Sequence, residues 1–319
     1  MSKLPTFLEI LKKRHRDIKA ERKAILAGED PRAIIPAGLR EFDKRAGHKR
    51  KILHLYGAAT GEGKSIWKLH LMRVAARAGY KVFVLDFEDP EERTADRSFS
   101  NETGINNAKM MSGDLTEKEV MQIGLACAEA EGWAGNIVMA LGVRTAEEAL
   151  DLLNEQECDL VLIDYLSALP HGEHGRERAI SDFCWGVTKY CQENNAAGIA
   201  FAQLVSAVSE RGMRLYEMQR KSAQYNNTDN KALPYIDGFR GFDNNDLAWC
   251  KDAGKTAKEL GFMFRPGRYY KRLDPKTPVK DDVMEFNFPK RNFGSEGRIT
   301  VGFDGKTASL YDLPEKKAA

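Results

Sequence analysis

The sequence predicts an α/β protein with a mainly parallel central sheet, and three observations carry that prediction. Short apolar runs alternate with helical stretches: Lys81–Asp86, Asn136–Met139, Leu160–Asp164 and Gly198–Gln203 read as strands, with helical patterns over Ser65–Gly79, Asn107–Glu131, Thr145–Gln156 and Arg178–Asn194 between them. Alternation of this kind gives a doubly wound sheet, because each helix carries the chain back for the next parallel strand. The apolar stretch Ile52–Tyr56 runs into the glycine-rich turn Gly57-Ala-Ala-Thr-Gly-Glu-Gly-Lys-Ser65 and then into a helix. From about Leu260 the helices drop out, and Gly261–Phe264, Val283–Phe288, Arg298–Gly302 and Ala308–Tyr311 read as strands that finish the sheet with an antiparallel extension.

Strand, glycine-rich turn and helix start in that order are the layout of a phosphate-binding P-loop. Glycine lets the backbone curl so that successive N–H groups point at phosphate oxygens, and the new helix offers its positive end. Lys64 is placed to reach the β and γ phosphates of ATP, and the Ser65 hydroxyl to ligate Mg²⁺. Candidate nucleotide contacts are therefore Ala58, Gly61, Glu62, Gly63, Lys64, Ser65 and Ile66. The first glycine of the usual pattern is Ala58 here.

Four further stretches carry chemistry. Leu160-Val-Leu-Ile-Asp164, a hundred residues after Lys64, is an apolar strand ending in a carboxylate, the form that holds Mg²⁺ at the carboxyl end of a central strand. Val84-Leu-Asp-Phe-Glu88-Asp-Pro90 crowds acids at a strand end expected beside the P-loop strand, and Glu88 is the candidate base for the attacking water. The competing reading is that these acids only cap the next helix. Gln203 ends its strand with an amide that could sense the γ-phosphate, or simply face solvent. Phe288-Pro-Lys-Arg-Asn-Phe-Gly294 is a strand end followed by a basic pair.

Composition sets wide bounds. The chain has 319 residues, 42% apolar and 30% charged, which leaves ample sequence for a core. Lys+Arg 49 against Asp+Glu 47 gives a formal +2, so any contact with nucleic acid must come from local charge. Five scattered cysteines without a C-x-x-C pair argue against structural zinc or a disulfide framework and fit a cytoplasmic protein. No apolar run approaches ~20 residues, so no membrane partner is expected. Three segments are expected: a basic helical arm and linker over 1–33, the ATPase domain over 34–312, and a frayed tail over 313–319. In the arm, Leu8, Leu11, Ile18, Ile25 and Leu26 form a thin apolar stripe on a heavily charged helix. That pattern suits an arm docking on a partner, or a solvated terminal helix.

Together these stretches resemble the ATPase domain of DnaB-type replicative helicases, from about Ile35 to Asp312. Ile163-Asp164-Tyr165-Leu166 is the most specific likeness, and alanine at the Ala58 position is common in that family. Phe87-Glu88-Asp89-Pro90 with Arg97 resembles the segment carrying the family's catalytic glutamate. Ser112–Glu119 resembles a family helix start, and Gln203-Leu204 followed by Glu210-Arg211 resembles its Gln motif. Lys290-Arg291-Asn292 resembles the segment of the arginine finger, which lands on Arg291 and would act in trans, with Lys290 beside the same nucleotide. The resemblance implies a RecA-like P-loop fold with an N-terminal linker helix that packs on the adjacent subunit. It also implies a hexameric ring driven by ATP and Mg²⁺ along single-stranded DNA, unwinding forked duplex, with primase and a loader as further partners.

The chain departs from the family at three places. Pro289 stands where a second lysine is usual. Met213–Asn245 is longer than the usual loop and mixes Arg214, Arg220, Lys221, Lys231 and Arg240 with Tyr216, Tyr225, Tyr235 and Phe239. Basic and aromatic residues on one loop suit single-stranded DNA through backbone charge and base stacking. Only the basic helix precedes the core, where the family usually carries a primase-binding domain. Two other classes share the P-loop and the parallel sheet: RecA-like strand-exchange or KaiC-like regulatory ATPases, and a helicase-loading scaffold without catalysis. The first does not usually carry Ile-Asp-Tyr-Leu, and the second does not need every catalytic position filled.

Overall fold

A computed structural model of the chain describes residues 6–27, 34–44, 47–169, 176–203, 259–265, 282–291 and 297–314. Two compact units are present, residues 1–34 and residues 35–319. The first contains helix α1 (Phe7–Leu26), whose apolar side chains Phe7, Leu8, Ile10, Leu11 and Ile18 are all exposed.

The second unit opens with two-residue strands β1 (Ile34–Ile35) and β2 (His48–Lys49), separated by the short helix α2 (Arg40–Lys44). The alternating part follows as β3 (Leu53–Ala58), α3 (Lys64–Arg77), β4 (Val82–Asp86), α4 (Glu91–Thr103), α5 (Asn107–Ser112), α6 (Glu117–Ala130), β5 (Ile137–Leu141), α7 (Ala146–Asn154), β6 (Leu160–Asp164), α8 (Arg176–Glu193) and β7 (Ala197–Gln203). Strands β8 (Glu259–Phe264), β9 (Val283–Arg291), β10 (Gly297–Asp304) and β11 (Ser309–Tyr311) complete it.

Nine of these strands make one sheet in the order β11-β10-β9-β8-β3-β7-β6-β4-β5. From β8 to β5 neighbouring strands run parallel, whereas β9, β10 and β11 join antiparallel, so the expected extension is a continuation of the same sheet. One expectation is corrected. β4 does not lie beside the P-loop strand β3, because β6 and β7 stand between them. The crossover through α3 carries the chain outward past two positions, which later strands fill.

Burial on both faces follows the two-residue period of a strand. Leu53 and Leu55 of β3, Phe83 and Leu85 of β4, and Val161 and Ile163 of β6 pack with α7 and α8 around Phe183, Val187 and Leu153. The alternate residues Tyr56, Val82, Val84, Leu160 and Leu162 pack on the other face with α3, α2 and the extension, around Trp67, Phe42, Phe286 and Phe288. The next residue in that second series on β4 is Asp86, and on β6 it is Asp164. Strand alternation alone therefore turns both carboxylates towards the α3 face.

The helical stretch 107–131 is two helices. Gly113 takes a left-handed φ of 71° and ends α5, and Thr116 caps α6 in a reciprocal pair with Glu119. Trp133 and Ala134–Asn136 then lead the chain into β5.

Candidate active site

Between β3 and α3 the loop bends through Gly61 at φ 75° and Gly63 at φ 101°, both left-handed conformations open to glycine. A Cβ on Gly63 would collide with the Met284 methyl and stand 3.2 Å from Phe303 Cε2. The antiparallel extension thus packs directly behind the loop. Ala58 is the last residue of β3 and has no positive φ, so nothing in the backbone demands a glycine there. Ala58 and Ala59 offer their carbonyl oxygens to the Lys64 ammonium at 3.3 and 3.2 Å. Burial pushes Lys64 below the usual lysine value, against the pull of Asp164, Glu88 and Glu62. Glu62 is fully buried and turns away from the loop's open side, where its carboxylate accepts from the Arg265 backbone N–H at 2.7 Å. It ties the loop to the end of β8.

A cavity of about 340 Å³ opens over this loop. Gly61, Gly63, Lys64, Ser65 and Ile66 line it, together with Glu88 and Gln203. Residues predicted from three separate stretches of chain thus share one place, and Asp164, described below, adds a fourth. Ala58 and Glu62 stand behind the loop as its supports. Lys290 and Arg291 lie in β9, in register with Leu260 and Glu259 of β8. The long basic and aromatic segment 213–245 falls outside the described residues, as do Glu210 and Arg211.

The three acids after β4 divide their work. Asp86 Oδ1 accepts from the backbone N–H groups of Glu88 and Asp89 at 3.1 and 2.9 Å and so fixes the turn. Asp89 pairs with Arg93 and Arg97, which hold it below the ordinary aspartate value although burial works the other way. Helix α4 starts without any side-chain cap, so capping that helix is not what these carboxylates do. Glu88 faces the cavity, and burial followed by the nearby Asp164 and Asp89 charges raises its pKa above the usual glutamate value.

Asp164 is buried at the end of β6, opposite Asp86 in register. The peptide bond between Asp164 and Tyr165 is cis. Lys68, one helical turn after Lys64, brings its ammonium to 2.7 Å from Asp164 Oδ2 and pairs with Asp86 as well. Burial alone would lower the Lys68 pKa, but Asp164 and Asp86 hold it above the ordinary lysine value. Asp164 Oδ1 is buried with no hydrogen-bond partner. An orphaned carboxylate oxygen is costly unless something arrives to use it, and with the Ser65 hydroxyl it forms the hard-oxygen donor set that Mg²⁺ takes. The residues present fit that ion.

Sequence reasoning missed Lys68, Arg93, Arg265 and Phe303, which belong to this site or its wall. Lys68 had a signal: it is a lone charge between apolar Trp67 and Leu69, spaced four residues from Lys64 on the same helix. Arg265, whose guanidinium lies 4.9 Å from the Phe303 ring centre, had none.

A family model described as DnaB-like helicase C terminal domain matches residues 35–224, more than half of the chain. The chain belongs to the DnaB-like helicase C-terminal domain family. It is 25% identical over 277 residues to the replicative DNA helicase DnaC of Bacillus subtilis (strain 168), covering 84% of this chain and 54% of that protein. The chain thus spans about half the length of the curated relative it matches. Among solved structures, an ATPase domain determined on its own superposes with a TM-score of 0.72 at 18% identity, covering 98% of this chain and 100% of that one. A DnaB-like replicative helicase, solved in a study of its interactions with primase, gives 0.70 at 18% identity, covering 98% of this chain and 68% of that one. The RadB recombinase gives 0.52 at 13% identity, covering 88% of this chain and 100% of that one. These likenesses establish the RecA-like fold, and the family match goes with the Ile-Asp-Tyr-Leu segment that closes β6.

Proposed function

We propose that this DnaB-like domain is the ATP-driven motor of a ring-forming replicative DNA helicase, coupling hydrolysis to movement along single-stranded DNA and unwinding of a fork. The observation that carries this reading is the convergence of Lys64, Ser65, Glu88 and Gln203 on one cavity, with Asp164 at the neighbouring strand end. Phosphate oxygens would replace the Ala58 and Ala59 carbonyls around the Lys64 ammonium, while the N–H groups at the start of α3 receive the remaining charge. Ser65 and Asp164 hold Mg²⁺, which when bound neutralises phosphate charge and polarises the transferred group. Glu88 orients the attacking water and accepts its proton, a task that its raised pKa suits. Gln203 bonds the γ-phosphate and couples it to the chain that follows β7.

Two further parts of the reading concern neighbours. Arg291, with Lys290 beside it, acts in trans on the next subunit's nucleotide, adding positive charge where negative charge develops. Helix α1 brings that neighbour into place. Its exposed Phe7, Leu8, Leu11 and Ile18 support a docking stripe, and the exposed Val120, Met121 and Leu125 of α6 offer an apolar surface for it on another copy. Residues 213–245 supply the charge and aromatic rings for single-stranded DNA, a hexamer is the expected ring, and primase and a loader are the expected further partners. No helix among the described residues is long and apolar enough to cross a membrane, and a motor of this kind works in the cytoplasm of a bacterial or phage-infected cell.

The test is strand displacement on a forked duplex, run beside ATP hydrolysis with and without single-stranded DNA. Unwinding that needs ATP supports the reading. Hydrolysis stimulated by single-stranded DNA without unwinding favours a strand-exchange or regulatory ATPase instead.

A further inference from the structure

Lys68 is 1% exposed and stands among three buried carboxylates. It pairs with Asp86, lies 2.7 Å from Asp164 Oδ2, and is 3.9 Å from Asp89 Oδ2. An ammonium this deep is retained only where opposite charge offsets the loss of its water. Oxygens of Asp86, Asp89 and Asp164 also lie within 4.8 Å of one another, close enough to share a single ion. Three carboxylates at such spacing are the donor set of a hard divalent cation. Asp89 already has Arg93 and Arg97, so the charge that Lys68 answers belongs to Asp86 and Asp164. It reaches both from α3, the helix that begins at the nucleotide lysine.

We propose that Lys68 is a positioning residue that fills the cation place of the Asp86–Asp89–Asp164 cluster, so that a divalent ion joins Asp164 only together with a nucleotide. The inference deepens the proposed function and rests on its assignment of Asp164 as a metal ligand. Lys68 holds Asp164 through Oδ2, while Oδ1 remains buried without a hydrogen-bond partner. The side chain is thereby aimed while one oxygen stays available. With the ammonium in place, the net charge facing an arriving ion is too small to bind it tightly, and the phosphates supply what is missing. Without the ammonium, the cluster would take a divalent ion by itself.

Mn²⁺ serves as the probe, because its spin resonance signal disappears on binding and reads occupancy without turnover. The full chain, free of nucleotide, is expected to bind Mn²⁺ only weakly, and at least tenfold more tightly once a non-hydrolysable ATP analogue is added. Lys68→Met is expected to tighten nucleotide-free Mn²⁺ binding at least tenfold, and Lys68→Met combined with Asp86→Asn to reverse most of that gain. Lys68→Arg, which keeps the charge, is expected to stay near the native chain. A folded Lys68→Met protein with native Mn²⁺ affinity overturns the proposal. So does a native chain that binds Mn²⁺ equally well with and without nucleotide, a comparison that needs no variant to fold. Failure to hydrolyse ATP would count against the proposed function and leave this titration unaffected, so the two failures are distinguishable.

Discussion

Asp86 and Asp164 are register partners on adjacent parallel strands, and strand alternation turns both onto the face covered by α3. Seventy-eight residues separate them in the chain, yet one ammonium from Lys68 bridges the pair. This junction links the turn that presents Glu88 to the strand end that presents Asp164, because Asp86 also accepts the Glu88 backbone N–H.

Glu88→Gln keeps the shape of the side chain and removes its capacity to accept a proton. ATP hydrolysis is expected to fall by roughly 10²-fold or more, while binding of a fluorescent ATP analogue persists. Hydrolysis at the native rate would remove Glu88 from the role of base.

The pH profile of the native chain gives a finer check. A base must be deprotonated to work, and Glu88 has a raised pKa, so kcat/KM should climb with pH at a higher value than an ordinary glutamate would give. The Asp89 charge is one of the causes of that rise. Asp89→Asn is therefore expected to move the acid limb of the profile to lower pH. An unmoved limb would mean that another group controls it.

His70 predicts a pH dependence of stability away from the chemistry. Its Nε2 donates to the Ala37 carbonyl at 2.8 Å, its ring stacks on Trp67, and burial lowers its pKa to about 4. The folded form thus resists a proton that the unfolded chain accepts below about pH 6.5. Its contribution is complete above that pH and is lost as pH falls towards 4, by at most about 3 kcal/mol. His70→Gln is expected to flatten this part of the melting-temperature profile. A profile of unchanged slope between pH 6.5 and 4 would contradict the assignment.

Gly63→Ala joins two penalties at one atom. A left-handed φ costs an L-residue roughly 1–2 kcal/mol, and the new methyl meets Met284 and Phe303. Both a lower melting temperature and at least tenfold weaker nucleotide binding are expected, since the loop and the extension have to move apart. Native nucleotide affinity in this variant would show that the packing behind the loop is not a condition of binding.

Much of this was legible in the chain because it is local. The period of the apolar residues marks β3, β4, β6 and β7, and the glycines of the loop between β3 and α3 announce the turn they permit. Glu88, Asp164 and Gln203 could be singled out because each ends an apolar run, and the carboxyl ends of parallel strands open on one side of a sheet. The three acids after β4 looked alike in sequence, however, and only their partners separate them: backbone amides for Asp86, arginines for Asp89, the cavity for Glu88.

The sequence by itself determined the alternating fold, the P-loop and the residue types that bind phosphate and metal, because short-range periodicity and backbone freedom are written in neighbouring residues. Tertiary structure alone decided the strand order that puts β6 and β7 between β3 and β4, the seat of Met284 and Phe303 behind Gly63, and the burial of Lys68 among three aspartates. The physical reason is shared by all three. Which distant segments meet depends on how a crossover helix packs and on where a buried charge can find its opposite, and neither quantity is encoded within any one stretch of chain.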